Sequence, residues 1–168
     1  MSFRKPESDD AEGILRRYAG DPDIGEYLTW PIHQSVEDTR EFLAFSDAEW
    51  QKSPAGPYLL FSRRDKRLLG STGLAFESSQ CASTGYVLAR DAWGFGYASE
   101  ALTEMKKLSN ELGVERLYAL CHPEHLRSIR VLEKCGFDLD GTICGCCEFP
   151  NRDPGKLADV VSYSWRRG

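Results

Sequence analysis

The 168-residue chain is long enough to bury a core without metal or disulfide staples, and its 41% apolar and 28% charged residues are those of a globular protein. A net charge of −5, with no cluster of Lys and Arg, argues against nucleic acid as a partner. No apolar run reaches the roughly 18–20 residues that cross a bilayer, so no membrane partner is expected.

The opening Met1-Ser2-Phe3-Arg4-Lys5-Pro6 is basic with no apolar stretch behind it. It does not read as a secretory leader, and a cytoplasmic location is the default expectation. Asp9 and Glu12 have capping-box spacing and open a short helix through Ile14, Leu15 and Tyr18. Residues Gly20–Gln34, with Pro22, Gly25 and Pro31, read as a loop or broken helix. Ser35 caps a second helix carrying Val36, Phe42, Leu43, Phe45 and Trp50, which Ser53-Pro54-Ala55-Gly56-Pro57 ends.

Tyr58–Phe61 and Leu68–Leu74 read as an antiparallel hairpin, and Gly85–Leu88 as the third strand of a meander. The period then changes. Ala98, Ala101, Leu102, Met105, Leu108 and Leu112 recur at helical spacing up to Gly113. Leu117–Cys121 is a buried strand, and Leu126, Ile129 and Leu132 mark a helix stopped by Gly136. Phe137–Cys146 and Val160–Trp165 close the chain as strands. This order predicts one α+β domain over residues 1–168 with a single parallel crossover.

The six cysteines include the cluster Cys144-Gly145-Cys146-Cys147, which lacks a second pair at zinc spacing, so no metal is expected. On an alternating strand Cys144 and Cys146 share a face and read as two buried small apolar residues.

The stretch Tyr86-Val87-Leu88-Ala89-Arg90-Asp91-Ala92-Trp93-Gly94-Phe95-Gly96-Tyr97-Ala98-Ser99 carries the chemistry. A strand feeds a glycine turn, and the turn opens a helix. Free N–H groups and the positive end of the helix dipole form an anion site there, and Gly94 and Gly96 permit backbone angles and a close approach that a Cβ would block. The pattern fits a diphosphate cradle; it also fits an ordinary tight strand-to-helix turn. A P-loop would need Lys-Ser/Thr after its last glycine, and a dinucleotide fold would not follow a meander.

Trp93-Gly94-Phe95-Gly96-Tyr97-Ala98-Ser99-Glu100-Ala101 resembles the acetyl-CoA motif Gln/Arg-x-x-Gly-x-Gly/Ala of the GNAT acetyltransferase superfamily. Trp93 replaces the usual Gln or Arg, as in the RimJ/RimL-type branch. His122–Ser128 followed by Val131-Leu132-Glu133-Lys134-Cys135-Gly136-Phe137 is similar to that branch's Asn-x-x-Ser … Leu-Glu-Lys-x-Gly-Phe signature. The resemblance implies a mixed, mostly antiparallel twisted sheet of about six to seven strands flanked by about four helices. Only Ser2–Lys5 remain for its first strand.

The same resemblance implies acetyl-CoA as co-substrate and transfer of its acetyl group to a primary amine, either a protein N-terminal α-amine or a small-molecule amine. Pantetheine would lie along Tyr86-Val87-Leu88, with an amide near Leu88 stabilising the oxyanion. The pyrophosphate would sit on the loop and helix start comprising Trp93, Gly94, Phe95, Gly96, Tyr97, Ala98 and Ser99. Many members protonate the departing thiolate with a Tyr at the position of Leu132, which cannot serve. Ser128 is the donor candidate here, and it also contacts the coenzyme. His125 stands where Asn is usual, for a coenzyme contact or a helix cap. Glu77, Glu148 and His33 compete as general base. Trp30 and His33 fall on the acceptor wall, and Arg127 and Arg130 near the phosphates. The branch often forms homodimers. A non-catalytic coenzyme-binding sensor is the alternative from a different class.

Overall fold

A computed structural model describes residues 1–168. Seven strands form one open sheet in the order β1-β2-β3-β4-β5-β7-β6. They are β1 (Ser2–Arg4), β2 (Pro57–Phe61), β3 (Leu68–Phe76), β4 (Cys81–Leu88), β5 (Arg116–Cys121), β6 (Asp138–Glu148) and β7 (Leu157–Arg166). Every neighbouring pair is antiparallel except β4 and β5, which are parallel because a helical crossover joins them. Five helices flank the sheet: α1 (Ala11–Ile14), α2 (Pro22–Gly25), α3 (Val36–Lys52), α4 (Tyr97–Glu111) and α5 (Leu126–Lys134). This is the α+β architecture expected, with one short helix more because Asp21 caps Pro22–Gly25 within the broken segment.

Alternation along the strands assigns the two faces. Leu59 and Val87 pack with Ile14, Tyr18 and Leu43 of the first helices. Their neighbours Leu60 and Leu88 pack with Ala101 of α4 on the other face. Farther along α4, fully buried Leu102 and Met105 meet Leu117, Ala119 and Cys121 of β5 and Leu132 of α5. The helix stripe read from the sequence is therefore the one that holds α4 against the sheet. Truncating Leu102 to Ala would cost about 2–5 kcal/mol.

Ser35 caps α3 as expected, its hydroxyl accepting from the Asp38 amide while the Asp38 carboxylate accepts from the Ser35 amide. The first cap lies elsewhere than expected. Asp10, not Glu12, folds back, accepting from the Glu7 amide at 2.7 Å, because Arg4 of β1 holds its carboxylate with two hydrogen bonds. The cysteine expectation is also corrected: Cys144 is exposed and Cys146 half-buried. Pairing with β7 slips between Ile143 and Cys147, and Gly145 takes a φ of 54°, so strict alternation ends there. All six cysteines are free.

Candidate active site

β4 and β5 pair over only three residues, from Cys81↔Arg116 to Ser83↔Tyr118, and then part. From Thr84 onward, the edge of β4 that would continue the pairing is open. The Ala89 amide donates to the Leu69 carbonyl on β3, so alternation turns the amides and carbonyls of Leu88 and Tyr86 toward the gap. Val87 faces the other way. Its carbonyl lies so close to Gly70 that a Cβ there would sit 2.0 Å from it, and its side chain is buried. Val87 therefore turns its backbone groups away from the gap, although the residue is among those that line the cavity. The Leu88 carbonyl accepts from the Trp93 indole Nε1–H at 2.9 Å, leaving the Leu88 amide facing the slot.

The gap leads to the mouth of α4. Gly96, its N-cap residue, has φ 83° and Gly94 has φ 82°, angles at which a side chain is strained. A Cβ at either position would meet no protein atom within 4 Å, so the glycines serve backbone conformation and leave open space in front of the loop. None of the amides from Gly94 to Ser99 donates to a protein group, and no side chain caps the helix. The result is a row of main-chain donors with the helix dipole behind them, suited to a diphosphate. The Arg127 guanidinium lies 5.5 Å from the Trp93 ring centroid, at the edge of this row. Phe95 is exposed at the loop tip, and Tyr97 and Ala98 pack beneath it against the core.

Slot and helix mouth open into one cavity of about 1650 Å³, lined by the first helices, β4, β5 and α5. Ser128 of α5 lines it and lies 3.1 Å from the Tyr86 phenol oxygen. Burial pushes that phenol up to about 12. Leu132 is 2% exposed in the core, as its apolar side chain requires. His125 is at the N-cap of α5 but its ring makes no capping bond. Instead it stacks on Tyr27 at 4.5 Å with 9° between planes, and burial lowers its pKa. The helix-cap reading of His125 is thus corrected, since the ring is drawn to an aromatic partner.

Trp30 and His33 both line the cavity, their rings 5.3 Å apart. His33 Nδ1 is 2.8 Å from the Thr39 hydroxyl, and burial lowers the pKa of the imidazole. Glu77 and Glu148 lie outside the cavity. Glu77 is exposed in the β3–β4 turn, where its carboxylate accepts from the Tyr118 phenol. Glu148 accepts from the Gly155 amide at 2.8 Å, closing the β6–β7 turn. The Tyr118 phenol of β5 thus holds Glu77, and the β6–β7 turn holds Glu148.

Sequence reasoning missed Asn151. Its amide group donates to the carbonyls of Gly25 and Trp30 at 2.9 Å each, and its oxygen accepts from the Ile32 amide at 2.9 Å. It also missed His122, a buried ring whose Nδ1 accepts from the Glu124 amide at 3.1 Å and whose face meets Phe149 edge-on. No group of three or more His, Cys, Asp or Glu side chains could hold a metal ion.

A strand pair that parts beside a helix mouth of unpaired amides suits a diphosphate-bearing ligand with a long arm, as a coenzyme A-dependent acyltransferase requires. Residues 1–138 match the acetyltransferase (GNAT) domain family, and the chain belongs to it: it is an N-acetyltransferase with acetyl-CoA as co-substrate. The uncharacterized N-acetyltransferase p20 of Bacillus licheniformis is 25% identical over 167 residues, covering 98% of this chain and 91% of that protein. A GNAT-family acetyltransferase from Bacillus anthracis is 26% identical with a TM-score of 0.81, covering 98% and 93% of the two chains. RimL, the ribosomal L7/L12 alpha-N-protein acetyltransferase, in complex with coenzyme A, shares the fold at a TM-score of 0.84 and 20% identity, over 98% and 92%. The ribosomal-protein acetyltransferases among the solved structures share this fold.

Proposed function

We propose that the chain transfers the acetyl group of acetyl-CoA to a primary amine by direct attack within a ternary complex. The acceptor is a protein N-terminal α-amine or a small-molecule amine. The observation that carries this reading is the row of unpaired amides from Gly94 to Ser99, adjoining the gap between β4 and β5. Pyrophosphate on those amides places the pantetheine arm along the open edge of Tyr86 and Leu88 and the thioester between the strands.

The Leu88 amide then meets the carbonyl oxygen as charge builds on it. His33, kept neutral by burial, takes the ammonium proton before attack; with Nδ1–H donating to Thr39, its Nε2 lone pair is free. A C–N bond forms, the C–S bond breaks with its electron pair on sulfur, and the Ser128 hydroxyl donates a hydrogen bond to the thiolate. Protons lost by the amine and gained by the thiol balance through solvent. Asp23, Glu26 and Glu41 line the acceptor side and suit a cationic amine. The likeness to RimL, whose name specifies a protein α-amine, favours an N-terminal acceptor.

Release of coenzyme thiol from acetyl-CoA should rise when peptides with free N-termini or small amines are added. Tight coenzyme binding with no turnover against any acceptor would favour a sensor instead. That second reading draws on Leu132 standing where many members carry a tyrosine.

A further inference from the structure

We propose that Tyr86 is a positioning residue, whose phenol fixes the Ser128 hydroxyl so that the serine's own proton points at the coenzyme sulfur. This rests on the acetyl-transfer reading and deepens it. A serine inside a helix ordinarily turns its hydroxyl back to a carbonyl one turn earlier. Ser128 makes no such bond; its one hydrogen-bond partner at ordinary distance is the Tyr86 phenol, at 3.1 Å, reaching across from β4. Alternation puts the Tyr86 side chain on the face of α4 and α5, where it packs on the cluster of Leu60, Leu88 and Ala101. The phenol is thus held by packing, and the hydroxyl of α5 is drawn to it.

Both hydroxyls carry a proton at neutral pH, and with the phenol as the donor across the 3.1 Å contact the serine proton is left free. Ser128 and Tyr86 both line the cavity, so the paired hydroxyls face the slot in which the coenzyme sulfur would lie. Other tyrosines near the sheet are engaged elsewhere, Tyr118 with Glu77 and Tyr163 with Glu133. Ser128 is the donor where Leu132 cannot serve, and Tyr86 orients it from the strand.

The test compares Tyr86→Phe, Ser128→Ala and the double variant. Tyr86→Phe should lower kcat about five- to tenfold, the worth of one hydrogen bond, with acetyl-CoA Kd within about twofold. In the Ser128→Ala background the same change should alter kcat by less than about twofold. Unchanged kcat, an equal loss in both backgrounds, or a parallel loss of coenzyme affinity would overturn the proposal. Should the wild type turn over no acceptor, the transfer reading fails on its own. The positioning role is then read from the thiolate absorbance of bound coenzyme A during a pH titration. Tyr86→Phe should raise that thiol's pKa, and an unmoved titration overturns the role. If Tyr86→Phe does not fold, a ring-fluorinated tyrosine at position 86, a stronger donor of nearly the same shape, should lower the bound thiol's pKa; no shift overturns the role.

Discussion

The Trp93 indole donates its Nε1–H to the Leu88 carbonyl at 2.9 Å, tying the amide loop to the open edge of β4. One contact thus ties the helix mouth, the proposed seat of the pyrophosphate, to the strand proposed to guide the pantetheine arm. It also consumes the one Leu88 group that would compete for the slot, leaving the amide. Trp93 stands where the family's motif more often has Gln or Arg, and the loop answers with a side chain that hydrogen-bonds inward and offers Arg127 an aromatic face.

Replacing Trp93 by Phe keeps a ring beneath Arg127 and removes the donor. Acetyl-CoA affinity should fall about five- to tenfold, the consequence of losing roughly 1 kcal/mol, with kcat falling less. Titration calorimetry measures it. An unchanged Kd would mean that the loop holds its position without the indole bond.

With His33 as the proposed base, its protonation sets the pH dependence. Burial holds its folded pKa below the ordinary 6.5, so the imidazole is neutral and basic at neutral pH. The acid limb of kcat/KM should therefore have its midpoint below 6.5, and His33→Gln should remove that limb and lower kcat about a hundredfold. The linked effect on folding has a definite sign. As pH falls below 6.5 the unfolded chain gains the proton first, so stability declines until the folded pKa is passed. A pH–rate profile of the variant that retains the acid limb would exclude His33 as the base.

Asn151 ties the segment Gly25–Ile32, and with it Trp30, to the end of β6 through three hydrogen bonds. Asn151→Ala should raise the acceptor KM several-fold with little change in coenzyme Kd, and should lower stability by about 1–3 kcal/mol. Steady-state kinetics with the acceptor varied, beside a denaturant melt, separates the two effects. Equal losses in acceptor and coenzyme binding would place the damage in the sheet and not in the acceptor wall.

The parts legible in the sequence are those in which a local pattern dictates local geometry. The helical period from Ala98 to Leu112 and the glycine pair before it placed α4 and its open mouth. Ser35 signalled the start of α3. The cavity's other half was harder because its contacts join distant segments. Nothing near Asn151 in the chain shows that it will hold Trp30, and nothing near Tyr86 shows that Ser128 will meet its phenol. For Glu77 and Glu148, a carboxylate in the sequence carries no sign of its partner: the Tyr118 phenol of β5 holds the one and the Gly155 amide the other.

The central claim is that main-chain nitrogens from Gly94 to Ser99 hold the coenzyme pyrophosphate. Amide resonances of these residues, followed by heteronuclear NMR during titration with coenzyme A, test it most directly. The amides of Gly94, Gly96, Tyr97, Ala98 and Ser99 should shift together and saturate with the coenzyme Kd, and a folded Gly96→Glu variant should neither shift nor bind. Saturating coenzyme that leaves these resonances in place, or a Gly96→Glu variant with wild-type affinity, would contradict the account.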